Sequence, residues 1–169
     1  MDDKLVVKTA VKVSTVSIVL NIVLSMLKLL AGIFGKSMAM LSDAIHSLSD
    51  VFGSIIVIIG VKVSKKKEDA DHPFGHDRLE CLASLALGAI LFFTGAMLAY
   101  EGIDKIYTKA PISTPGKIAL FAAIVSIIAK EGMFWYTKIN ANRINSDALR
   151  AEAWHHRSDA LSSVGSLIG

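Results

Sequence analysis

The sequence predicts an all-α membrane protein, a bundle of transmembrane helices, on three observations. Apolar residues make up 53% of the 169-residue chain and the mean hydropathy is +0.53, whereas soluble domains run at about 45–50% apolar. These residues gather into blocks of the length a helix needs to cross the hydrocarbon layer, about 20 residues. The strict apolar/polar alternation of a membrane barrel is absent, so backbone groups in lipid must be satisfied within helices.

Four blocks meet the length requirement well: Val13–Phe34, Met38–Val63, Leu79–Tyr100 and Ile118–Tyr136. A fifth begins near Ala148 and runs to Gly169. The connections are short: Gly35–Ser37 turns the first span into the second, and Pro111 and Pro115 break the chain between the third and fourth. The fifth span stops in an apolar run, Ala160–Gly169, with no flanking charge. The expectation is therefore one transmembrane domain over 1–169 whose natural chain continues beyond it.

Basic residues orient the spans. Lys4, Lys8 and Lys12, the run Lys62, Lys65, Lys66, Lys67 with Arg78, and Lys138, Arg143 and Arg150 all fall on one side. Only Lys36, Lys105, Lys109 and Lys117 fall on the other. The excess of positive charge belongs in the cytoplasm, and the N-terminus with it. The segment MDDKLVVKTAVKV lacks the small-residue cleavage pattern of a signal peptide, so the first span is read as retained. The single cysteine, Cys81, rules out an internal disulfide and reads as a small inert hydrophobe. The net charge of +3, on lysines beside apolar runs and not interleaved with aromatics, gives no sign of nucleic-acid binding.

Function is read from the ionisable residues inside the spans. Each costs roughly 2.5–3.5 kcal/mol to insert, so such groups mark ion or proton pathways. The second span holds Asp43, His46 and Asp50, and the fifth holds His155, His156, Arg157 and Asp159. Residues four apart share a helix face. His46/Asp50 and His155/Asp159 therefore each present one imidazole and one carboxylate to one side. If the two faces meet, two nitrogens and two oxygens surround a common point. That set suits tetrahedral Zn2+, and also Fe2+, Co2+ or Mn2+. On a soluble helix a His-x-x-x-Asp pair is an ordinary surface pair, but within an apolar span that explanation fails.

Asp43 lies near the same face as His46 and reads as an outer acceptor that orients His46, with a proton carrier or fifth ligand as alternatives. His156 points about 100° from His155 and reads as a packing or hydrogen-bonding residue. Arg157 reads as a cytoplasmic-side or interhelical ion-pair partner. Lys28 is expected to snorkel or to pair with a carboxylate. Lys130 and Glu131 are neighbours that cannot face each other, so each needs a partner on another helix. In the loop after the lysine run, Asp69, His72 and His76 are spaced as ligands, with Pro73 and Gly75 holding a tight turn. The competing reading is a polar loop that caps the third helix, with Asp77 as N-cap and Glu80 behind it.

These segments resemble the cation diffusion facilitator, or cation efflux, family. The resemblance rests on Ser37–Asp50 (SMAMLSDAIHSLSD), Asp71–Glu80 (DHPFGHDRLE) and Ala153–Ser163 (AWHHRSDALSS), in that order. It implies a six-helix membrane domain followed by a cytoplasmic metal-binding, dimerising domain, of which this chain lacks the sixth helix and the C-terminal part. It implies a homodimer in the prokaryotic cell membrane that exports divalent metal in exchange for protons, with no prosthetic group. It places the transport site on His46, Asp50, His155 and Asp159, and a second site on Asp69, His72 and His76. The His-first pattern points toward zinc, iron or cobalt. A histidine, with an unperturbed pKa of about 6.5, must be deprotonated to bind metal, so metal and protons are expected to compete for the same ligands.

Three other classes are weighed against this. A metal-storing membrane protein would show no flux across a liposome. A sodium–proton exchanger would use oxygen ligands, as hard ions prefer, which the imidazoles disfavour. An intramembrane metalloenzyme with a His-Glu-x-x-His motif finds no such motif here, and the chain is not expected to be an enzyme.

Overall fold

A computed structural model describes residues 3–35, 38–66, 75–108 and 117–168. The described residues form five helices and no strand: α1 (Asp3–Phe34), α2 (Met38–Ser64), α3 (Arg78–Thr108), α4 (Lys117–Ile144) and α5 (Asp147–Ile168). Four stretches are long and apolar enough to cross a membrane: Asp3–Phe34, Met40–Ser64, Arg78–Met97 and Leu120–Ile144. α5 has 22 residues, enough for a crossing at 1.5 Å per residue. Its composition is not apolar, because Arg150, Glu152, His155, His156, Arg157 and Asp159 lie along it. It is accommodated by packing. α5 lies against α4, α3 and α2, while α1 packs on α2 and α4.

The helices outrun the apolar blocks read from the sequence. α1 begins at Asp3 and not near Val13, and α4 continues to Ile144, beyond Tyr136. The extensions carry the basic residues expected at the membrane boundary, with Lys4, Lys8 and Lys12 at one end of α1.

Two apolar clusters lie at opposite ends of the bundle. The larger takes residues from all five helices: Val6, Ala10 and Val13, then Val57 and Val61, Ala83 and Leu87, Ala141 and Ile144, and Ala148 and Leu149. The smaller joins Ala31, Met40 and Ala122. Close approach is built into the larger end. A Cβ added at Gly60 would fall 2.4 Å from the Ala83 Cβ, so α2 and α3 meet there only because residue 60 has no side chain.

The turn from α4 to α5 is tightly closed. Asn145 takes φ 51°, the left-handed conformation asparagine tolerates. The Ser146 amide donates back to the Ala141 carbonyl at 3.0 Å, a Schellman closure. Ser146 Oγ then accepts from the Leu149 amide at 3.3 Å as the N-cap of α5, and itself donates to Glu80 Oε1 at 2.5 Å. Arg150 is held by Asn145 and, at 2.6 Å, by Asp147. Glu80, which the competing reading sets behind the α3 N-cap, reaches across with its carboxylate to the α4–α5 turn. Asp77 directly precedes α3 and its carboxylate sits 3.5 Å from Lys65 Nζ.

Candidate metal centre

Between the two apolar ends lies a layer of buried polar groups, midway along α2, α4 and α5. Here the structure brings together all four residues of the two His-x-x-x-Asp pairs. His155 Nε2 lies 3.1 Å from Asp50 Oδ1 and 3.8 Å from Asp159 Oδ2. His46 Nε2 lies 3.6 Å from Asp159 Oδ1. Each pair thus crosses to the carboxylate of the other helix. His46, Asp50 and Asp159 each offer one ligand atom, all within 4.8 Å of one another. Tetrahedral zinc with bonds of 2.0–2.1 Å sets its ligand atoms about 3.3 Å apart. These three donors span up to 4.8 Å, with His155 beside them at 3.1 Å from Asp50 and with the Lys130 ammonium lying against both carboxylates.

Burial is unequal. Asp50 and His155 are enclosed, while the His46 side chain is 36% exposed. His46 opens on a cavity of about 50 Å³ lined by Lys28, Asp43, Ser47, Lys130, His155, Ser158, Asp159 and Ser162, with Leu91, Thr94 and Gly95 of α3 as its far wall. The cavity lies on the side of the centre away from the large apolar cluster.

Lys130 holds the centre together. Its ammonium donates to Asp50 Oδ2 at 2.5 Å and to Asp159 Oδ2 at 2.8 Å, and the residue is 1% exposed. The sequence requires Lys130 to find a partner on another helix; it finds two, on α2 and α5. Glu131 does not: it accepts from Trp135 Nε1 at 3.1 Å, one turn along its own helix.

Asp43 departs from its expected role. Its carboxylate pairs with Lys28 at 2.9 Å, and Lys28 also donates to Ser47 Oγ at 2.7 Å. The carboxylate that His46 approaches is Asp159, on α5. Asp43 is drawn to the ammonium that α1 buries one layer above the centre. Arg157, read as an ion-pair partner, instead stacks over Phe134 at 4.6 Å and Trp154 at 5.8 Å, a use to which a planar guanidinium is suited. His156 is the hydrogen-bonding residue its angle suggests, 3.2 Å from Ser17 Oγ.

One buried acid escapes sequence reading. Glu152, 1% exposed, accepts from Ser14 Oγ of α1 at 2.8 Å and from Ser54 Oγ of α2 at 2.5 Å. It lies about one turn before His155, on the side of the large apolar cluster. A signal for it exists in α1, where Ser14, Ser17, Asn21, Ser25 and Lys28 recur at helical spacing and are all buried. That polar stripe has to face polar partners. Of the loop set, Asp69 and His72 lie outside the described residues; His76 is buried just before α3.

Apolar helices enclosing a mid-span cluster of imidazoles, carboxylates and an ammonium define the chain as an integral membrane protein built around an ionisable centre. The chain belongs to the cation diffusion facilitator family: the model of the cation efflux transmembrane domain matches residues 14–169. It is 46% identical over 153 residues to an uncharacterized transporter, MJ0449, of Methanocaldococcus jannaschii, covering 90% of this chain and 54% of that protein. It is 43% identical over 138 residues to the magnetosome protein MamB of Magnetospira sp., covering 82% and 47%. With the manganese efflux system protein MneP of Bacillus subtilis it shares 36% identity over 158 residues, covering 94% and 52%. The chain spans about half the length of the curated relatives it matches.

Proposed function

We propose that this protein carries a divalent transition-metal ion across the membrane, binding it with His46, Asp50, His155 and Asp159 and exchanging it for protons on the same ligands. The observation that carries the reading is the convergence of α2 and α5 at mid-span, with His155 3.1 Å from Asp50 and His46 3.6 Å from Asp159. Two nitrogens and two oxygens favour Zn2+, with Fe2+ and Co2+ acceptable to the same set. Relatives named for manganese efflux make Mn2+ the first competitor to test. Asp69, His72 and His76 form a proposed second site, and a homodimer is the proposed assembly of the full-length protein.

Metal arriving from the cytoplasm displaces protons from His46 and His155, because an imidazole must give up its proton to bind. Protons arriving from the opposite side then compete the metal away. Access alternates as helices rock about the fixed centre. With the N-terminus in the cytoplasm, the five-helix apolar seal faces the cytoplasm and the cavity beside His46 faces outward, an outward-facing arrangement.

In proteoliposomes loaded with a pH-sensitive dye, Zn2+ or Mn2+ addition is expected to drive proton movement. Asp50→Ala and Asp159→Ala are each expected to abolish it. Undiminished flux in both variants overturns the proposal, and metal binding without flux in the unaltered protein reassigns it to storage.

A further inference from the structure

Two carboxylates that share a buried centre repel each other and strongly favour a counter-ion. In this chain the counter-ion is covalently attached. Lys130 Nζ bridges Asp50 at 2.5 Å and Asp159 at 2.8 Å. An arriving ion meets a seat already occupied by an ammonium.

We propose that Lys130 is the resident cation of the metal seat, which an incoming ion must displace, and that it thereby restricts the seat to divalent ions. The inference rests on the metal-site reading above.

The argument is one of charge. Asp50, Asp159 and Lys130 together carry one net negative charge. A monovalent ion that displaces the ammonium replaces one positive charge with another. It also surrenders its own freedom and hydration, whereas the tethered lysine is always at hand. A divalent ion adds a charge that Lys130 does not supply, and it recruits the imidazoles of His46 and His155, which an ammonium cannot use as a metal does. Valence and donor set therefore act together.

The displaced ammonium has somewhere to go. Lys130 lines the 50 Å³ cavity, whose wall also carries Asp43, Ser158 and Ser162. A four-carbon stem lets the head move without backbone motion, so the ammonium can exchange the Asp50 and Asp159 oxygens for those of the cavity wall. When the metal leaves, the same swing refills the seat, and the two carboxylates are not left bare.

The test is calorimetric titration of the detergent-solubilised protein with Zn2+, and separately Mn2+, in sodium chloride and in choline chloride at equal ionic strength. The unaltered protein is expected to bind metal equally in both salts. Lys130→Met is expected to bind metal about tenfold or more tightly in choline chloride, and to lose that gain in sodium chloride because Na+ now competes. Lys130→Arg, whose fork grips both carboxylates more firmly, is expected to bind metal about tenfold more weakly. Should the methionine variant fail to fold, the arginine variant decides alone. Unchanged or tighter binding in Lys130→Arg, or unchanged binding and salt response in Lys130→Met, overturns the proposal. Failure of the unaltered protein to bind either metal overturns the metal site itself, whereas normal binding with indifferent lysine variants removes only the role of Lys130.

Discussion

Glu152 of α5 is joined to two other helices by two hydroxyl donors, Ser14 on α1 and Ser54 on α2. Replacing it with leucine strands both donors in the interior, at about 1–3 kcal/mol for each unsatisfied group. Glu152→Gln keeps the shape and one acceptor oxygen and is expected to cost less. Thermal unfolding in detergent compares the two; equal losses would show that the acceptor oxygens are not what the bundle needs. The four residues of the centre were legible in the sequence because charges inside apolar blocks stand out and their spacing fixes a face. Lys130 was legible only as a group in want of a partner, since nothing in α4 says which helices will surround it. Glu152 was hidden by its place near the start of α5, where beside Arg150 it resembles a boundary charge. The partner of Asp43 is not legible, because spacing along α2 reveals nothing of Lys28 on α1.

Among the elements, α5 is the least apolar, yet it buries Glu152, His155 and His156. Its fitness for the membrane interior comes from its neighbours and not from its own composition, and the ionisable pair identifies it better than hydropathy does. The α2–α3 contact is the opposite case, set by the absence of a side chain. Gly60→Ala places a methyl 2.4 Å from the Ala83 Cβ and is expected to destabilise the protein by about 1–3 kcal/mol. Adding Ala83→Gly is expected to recover most of that loss, which a pair of thermal unfolding curves would reveal. No recovery would mean that the cost does not lie in this contact, since alanine is intrinsically the better helix former at position 60. The element boundaries were only partly legible. Apolar blocks end where lipid ends, whereas α1 and α4 continue as long as their backbone hydrogen bonds and mutual packing sustain them.

At the scale of the molecule, one end is sealed by residues from five helices and the centre opens toward the other end. In a Cys81→Ser background, Ser162→Cys on the cavity wall is expected to react with a membrane-impermeant thiol reagent added outside. Val61→Cys, 0% exposed within the seal, is expected to resist the reagent from either side. Labelling of residue 61 with residue 162 protected would reverse the assignment of the open face. The helical class and the number of helices were legible from hydropathy and from the polar residues of the fifth span, but the sealed end was not, because it is built from residues that no single span reveals as partners. The closed turn at Asn145 and Ser146 bears on how such a bundle can move. That corner is clasped by its own backbone and by Glu80, and α4 and α5 pack along each other beyond it. Lys130 and Asp159 both belong to that clasped pair while Asp50 belongs to α2, so any parting of α2 from the pair would stretch the lysine bridge together with the His155–Asp50 and His46–Asp159 contacts.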